Sequence, residues 1–173
     1  MEKKIEILNN LNMNEIERIK DQLTRAFEGE SWTGSPVMEV LKDIEPAKAA
    51  SKPMPRAHSI WEILLHMNSE VEVVIRRLRG EAAQLTDEED WPKVTDTSKR
   101  SWDDLVNRIK SNHEKLLAEV SKVKPEQLDK PMFEGFSSYY VTLQGLVQHN
   151  QYHLGQIAIL KKGYYSTDGM LTH

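Results

Sequence analysis

Residues 142–161 read TLQGLVQHNQYHLGQIAILK, a stretch free of proline in which apolar side chains return every three or four positions. That period predicts a helix with Leu146, His149, His153, Ile157 and Leu160 on its inner face. Gly163, preceded by Lys161 and Lys162, predicts its end: glycine suits a left-handed terminator, and the lysines suit the negative end of the helix dipole.

Three further segments with the same period lie upstream. Ser101, with Asp104 as capping partner, opens one whose stripe is Leu105, Ile109, Leu116 and Val120. Ser59 and Glu62 form a capping box ahead of Ile60, Ile63, Leu64, Met67, Val71, Val74 and Leu78, with an end expected before Gly80. The first runs from about Asn12 to Phe27, with Asn14 and Glu17 as its box and Ile16, Ile19, Leu23 and Phe27 as its face. Strand signals are scarce and repeats absent. Four amphipathic helices can bury their stripes only against one another, so the expected fold is all-α, a four-helix bundle within a single domain spanning 1–173.

The connections are too long for a minimal up-and-down bundle. Gly29 to Ser59 is broken by Gly34, Pro36, Pro46, Pro53 and Pro55, with room for a short helix over Val37 to Ile44, and should cross the bundle or cap one end. Glu81 to Arg100, which holds Trp91-Pro92, and Pro125 to Ser138 read as irregular connections.

The 173 residues are 39% hydrophobic, enough for one buried core. A net charge of −4 supplies no positive field for phosphate backbones or acidic lipid, so nucleic acid and membrane are not expected partners. No run approaches the roughly 20 apolar residues of a membrane span, and MEKKIEILNN lacks the apolar stretch of a signal peptide, so the expected location is cytoplasmic. With no cysteine there is no disulfide, thiolate nucleophile or cysteine-held metal.

Two imidazoles on a core stripe need a reason, because a buried ring nitrogen left without a partner costs about 1–3 kcal/mol. His149 and His153 stand four residues apart, so their Cβ atoms should lie roughly 5–6 Å apart and both rings can reach one metal ion. The pair resembles the HExxH arrangement, but Asn150, Gln151 and Tyr152 lie between and the glutamate base is missing. Structural histidines with hydrogen-bonded nitrogens are the alternative. His66, on the flank of the second helix's apolar face, is one candidate third ligand. His113, in the stripe of the third helix beside Lys110, Asn112 and Lys115, is its rival and reads as a half-exposed boundary residue; spacing alone does not choose between them. His58 lies in a connection and His173 is the last residue, poor places for a rigid site.

The segments AHSIWEILLHM (57–67) and QHNQYHLGQI (148–157) together resemble the DinB-like/YfiT-like superfamily of metal-dependent enzymes. FEGESWTGSPVMEVL (27–41), DWP (90–92) and the region of Trp102 extend the likeness over nearly the whole chain. The resemblance implies a four-helix bundle, metal ligands at His66, His149 and His153, and pairing into a homodimer. The superfamily's name does not imply DNA binding. Its characterised members include transferases and isomerases that use low-molecular-weight thiols such as bacillithiol, mycothiol or glutathione.

Three neutral imidazoles leave coordination positions open on a divalent ion, zinc or nickel by expectation and iron or manganese as alternatives. Such an ion would activate water or a thiol, and here the thiol would have to arrive as a separate molecule. The expected function is thus a metal-dependent enzyme, a thiol S-transferase or a hydrolase acting on a small molecule. A non-catalytic metal- or small-ligand-binding stress-response protein is the other reading. Glu62 and Glu70, each one turn from His66, and Gln156, one turn beyond His153, can orient ligands. Glu70 can also approach the metal as a catalytic group, although a solvent-facing position near Arg77 would explain it equally, and Glu62 is accounted for by its capping role. Trp32, Trp61, Trp91 and Trp102 read as pocket mouth or core. Arg76, Arg77 and Arg79 read as a solvated helix end that can also grip an anion.

Overall fold

The computed structural model describes residues 13–168 apart from Pro55; Asn12 and His173 lie outside the described residues. Seven α-helices follow in order among the described residues: α1 (Glu15–Phe27), α2 (Val37–Val40), α3 (Pro46–Ala50), α4 (Ile60–Leu78), α5 (Asp87–Asp90), α6 (Lys99–Val120) and α7 (Tyr139–Asp168). The described residues contain no strand beyond one isolated bridge between Pro131 and Ser138. The long helices α1, α4, α6 and α7 form the bundle, with α4 packed on both α6 and α7, and α1 on α6 and α7. No helix among them is long and apolar enough to cross a membrane.

Local chemistry explains most of the boundaries. Asn14 Oδ1 accepts from the Glu17 amide while Glu17 returns the bond to the Asn14 amide, both at 3.0 Å, so α1 starts as its capping box dictates. Ser59 and Glu62 do the same for α4, which ends ahead of Gly80 in the left-handed region at φ 92°.

Several boundaries differ from the sequence reading, among them the start of α7, which lies at Tyr139 and not near Thr142. The cap of α6 is Ser98, whose hydroxyl accepts from the Ser101 amide at 3.2 Å, so the helix starts at Lys99 and Asp104 has no capping role. Asp96 preorganises that cap: its Oδ1 accepts from the Ser98 amide at 2.9 Å and its Oδ2 from both the Ser98 and Ser101 hydroxyls. Helix α7 continues through Gly163 to Asp168. Tertiary contacts explain this: the Tyr164 hydroxyl donates to the Ser51 carbonyl at 2.7 Å, and Lys161 Nζ donates to the Val40 and Lys42 carbonyls at 3.0 and 2.6 Å. These bonds outweigh the roughly 1 kcal/mol by which glycine disfavours a helix interior. The Gly29–Ser59 connection is correspondingly ordered, with α2 resting on α1 and α7, and α3 on α4. Its short helix over Val37 to Ile44 is realised only as far as Val40.

The apolar core falls into two clusters. One gathers the connection residues Val37, Val40 and Ile44 with Ile60 to Met67 of α4, Trp102 and Leu105 of α6, and Leu154 to Leu160 of α7. The other joins Ile16, Ile19 and Leu23 to Val73 to Ile75, Leu116, Val120, Leu143 and Leu146. Since α4 and α7 run antiparallel through both, the residues between the clusters meet at one level. There the buried side chains are polar: His66, Asn68, Asn112, His113 and His153. Asn112 Nδ2 donates to Asn68 Oδ1 and to Glu72 Oε1 at 2.9 and 2.7 Å, tying α6 to α4 across this layer.

His113 is buried, not half-exposed as the sequence suggests. Its ring stacks on Phe27 at 3.9 Å, 10° from parallel, and Nε2 has no hydrogen-bond partner. Burial pushes its pKa from 6.5 down to about 4. An unfolded chain therefore takes up this proton as pH falls below 6.5 while the folded chain resists it, so stability should drop progressively between about pH 6.5 and 4. In His113→Phe, which keeps a ring against Phe27, the thermal midpoint should fall less from pH 7 to pH 5 than in the parent; equal falls would show that His113 does not drive the loss.

Candidate metal centre

Helix α4 carries His66 into the polar layer from one side, and α7 brings His149 and His153 into it from the other on adjacent turns. One ring nitrogen of each lies within 4.8 Å of one ring nitrogen of both others. The rings stand edge to face around a common point, with centroids 4.9 Å apart for His66 and His149, 4.7 Å for His66 and His153, and 4.5 Å for His149 and His153. His66 and His153 are buried and His149 is half-buried.

The outer nitrogens set the tautomers. His66 Nδ1 lies 2.9 Å from the Asp90 main-chain oxygen and 3.0 Å from its carboxylate Oδ1. Both oxygens are acceptors, so Nδ1 carries the proton and Nε2 a lone pair. The single N–H is aligned on the carbonyl, which leaves Oδ1 buried without a hydrogen bond of its own. His153 Nδ1 donates to Gln156 Oε1 at 2.8 Å and likewise leaves its Nε2 unprotonated. The Nε2 atoms of His66 and His149 are 2.9 Å apart, so His149 must hold the bridging proton, and its own Nδ1 is then buried with no partner. A cation at the meeting point would use the lone pairs and release His149 from bridging. The donor set suits one: burial, reinforced by the neighbouring His153 and His66, lowers the pKa of His149 to about 4, and burial also lowers that of His153. These two imidazoles therefore stay neutral, the form that binds metal. Three nitrogen donors match a divalent transition ion.

Trp91 forms one wall. Its indole stacks on His66 at 4.0 Å, 3° from parallel, and His58 covers the other face at 3.8 Å. His58 thus belongs to the outer layer of the site, although its connection gave no reason to expect it, and it does not join the three-histidine group. Of the other tryptophans, Trp61 and Trp102 pack edge to face in the core and Trp32 is fully exposed. Asp90, the residue sequence reasoning missed, sits just before Trp91 at the end of α5, and DWP carried a resemblance but no spacing that pointed to His66.

The candidate orienting residues divide. Gln156 bonds His153. Glu62 is occupied by the Ser59 cap and by Lys52, 2.9 Å away; its Oε2 also lies 3.6 Å from His58 Nδ1, but it has no contact with His66, His149 or His153 among the described hydrogen bonds and ion pairs. Glu70 is half-buried at the edge of the site, and burial with the nearby Asp90 raises its pKa. The three arginines are not one solvated cluster: Arg76 pairs with Glu81, Arg79 with Glu119, and Arg77 Nε donates to the Ala83 carbonyl at 2.8 Å.

Compared with known proteins, residues 30–157 match a family model described as the DinB superfamily. No curated protein and no solved structure matches the chain.

The tautomers are open to nitrogen-15 NMR of the metal-free protein. His66 and His153 should both appear protonated at Nδ1, and Gln156→Leu should release His153 alone from that form. An Nε2-protonated His153 in the parent would refute the assignment.

Proposed function

The chain belongs to the DinB superfamily, and we propose that His66, His149 and His153 hold one divalent metal ion, zinc or nickel, in an enzyme acting on a small molecule. The reading is carried by one observation: three mostly buried imidazoles, from two helices far apart in sequence, converge with one ring nitrogen of each within 4.8 Å of the others, while Nδ1 of His66 and of His153 each face an oxygen acceptor. When bound by these three histidines, such an ion would supply a nucleophile near neutral pH by acidifying a water or a low-molecular-weight thiol.

The chain's own residues do the rest. Asp90 and Gln156 fix the rotation of His66 and His153 through their Nδ1–H bonds, which keeps the Nε2 atoms directed inward. Trp91 covers the face of His66 and excludes water from that side. Glu70, one turn from His66, has its carboxyl pKa raised by burial and by the nearby Asp90, which makes it a stronger base for the proton of the incoming nucleophile. With no cysteine in the chain, sulfur chemistry here takes its thiol from a second molecule, so the reaction is transfer of that thiol to a small electrophile or, with water, hydrolysis.

Untagged protein incubated with zinc or nickel and desalted should retain one ion per chain by mass spectrometry. His149→Ala should weaken metal binding by more than about a hundredfold, and Gln156→Leu by about 10- to 100-fold. Turnover of a thiol with an electrophile panel, or of esters and amides, should vanish on chelation and return with metal. A chain that retains no ion refutes the proposal; one that retains it without any turnover would be a metal-binding protein only.

A further inference from the structure

A groove of about 280 Å³ opens beside His149 along the seam of α4 and α7. Glu70, Val74 and Arg77 line it at three- and four-residue steps on α4, and His149, Leu146 and Thr142 do so on α7. Seven residues separate His149 from Thr142, and Glu70 from Arg77, so the groove runs roughly 10 Å from the imidazoles toward Arg77.

Arg77 is held there with binding capacity to spare. Its Nε is committed to the Ala83 carbonyl and its guanidinium carbon lies 4.3 Å from the centre of the Phe136 ring, which fixes the plane of the group. Unlike Arg76 and Arg79 it makes no ion pair among the described residues. Beside it, Thr142 Oγ1 is buried without a hydrogen-bond partner. Between the two ends, Val74 and Leu146 offer an apolar wall. Gly145 leaves the floor open, since a Cβ there would meet nothing within 4 Å.

We propose that this groove seats the substrate as a short apolar chain ending in a carboxylate, with the carboxylate on the free N–H edge of Arg77 and the Thr142 hydroxyl, and the reacting end at His149. A single guanidinium, opposed by Glu70 on the same wall, selects a monoanion over a dianionic phosphate. The assignment of the reacting end rests on the metal reading above; the carboxylate seat does not.

The test is NMR titration of zinc-loaded and metal-free protein with hexanoate and with 1-hexanol, following the Thr142 and Gly145 amides. Both forms of the parent should bind hexanoate about tenfold more tightly than 1-hexanol, as one charge-assisted hydrogen-bonded contact warrants. Arg77→Met should make the two equal. Gly145→Leu, a substitution that improves helix propensity, should block both ligands while zinc content stays unchanged. Failure of the parent to bind hexanoate, equal binding of the two ligands, or hexanoate binding undiminished in Gly145→Leu would overturn the proposal. A preference seen only with zinc and surviving Arg77→Met would place the carboxylate on the ion and overturn it as well. If no zinc is retained, the metal reading fails, and the metal-free titration still decides the groove.

Discussion

The fold is organised around a layer of buried nitrogen and oxygen atoms that must find partners inside the bundle. An imidazole removed from water has to satisfy both ring nitrogens within reach of its own side chain. For His66 and His153 the outer nitrogen is met by Asp90 and by Gln156, and only the inner ones are left to face each other's neighbourhood. His149 is the residue for which this fails: Nε2 bridges to His66, and Nδ1 is stranded. His113 Nε2 in the same layer is also left without a partner, while the neighbouring Asn68, Asn112 and Glu72 satisfy one another.

The apolar parts accommodate that layer. The core parts into a cluster on either side, and each long helix changes from one cluster to the other as it passes the polar level. The long connections are recruited for the same end. The Gly29–Ser59 segment completes one cluster with Val37, Val40 and Ile44, and the α5 connection delivers Asp90 and Trp91 to the outside of His66. A minimal bundle with short turns would have had neither the wall nor the hydrogen-bond acceptor.

Helical period and capping boxes were enough to read the bundle and two of its helix starts from the sequence, because those signals act within a few residues. The grouping of three imidazoles was legible in part: the i,i+4 pair follows from helix geometry, whereas choosing His66 over His113 needed the family likeness. What the sequence hid was set by long-range contacts. Ser98 displaced Ser101 as a cap because Asp96 holds it in place. Gly163 stayed helical because Tyr164 and Lys161 are anchored to the connection more than a hundred residues upstream. His113 was misjudged from its charged neighbours Lys110 and Lys115, which are exposed, whereas Phe27 from α1 covers the imidazole.

The division of the core into two apolar halves bears on how the chain comes apart. Each half can open while the other persists, as separate cooperative units joined through the hydrogen bonds of the polar level. A cation gripped by α4 and α7 at that level would act as a rivet through both halves. Amide hydrogens on either side, slow or fast to exchange according to their own half in the bare protein, would then share a single opening event.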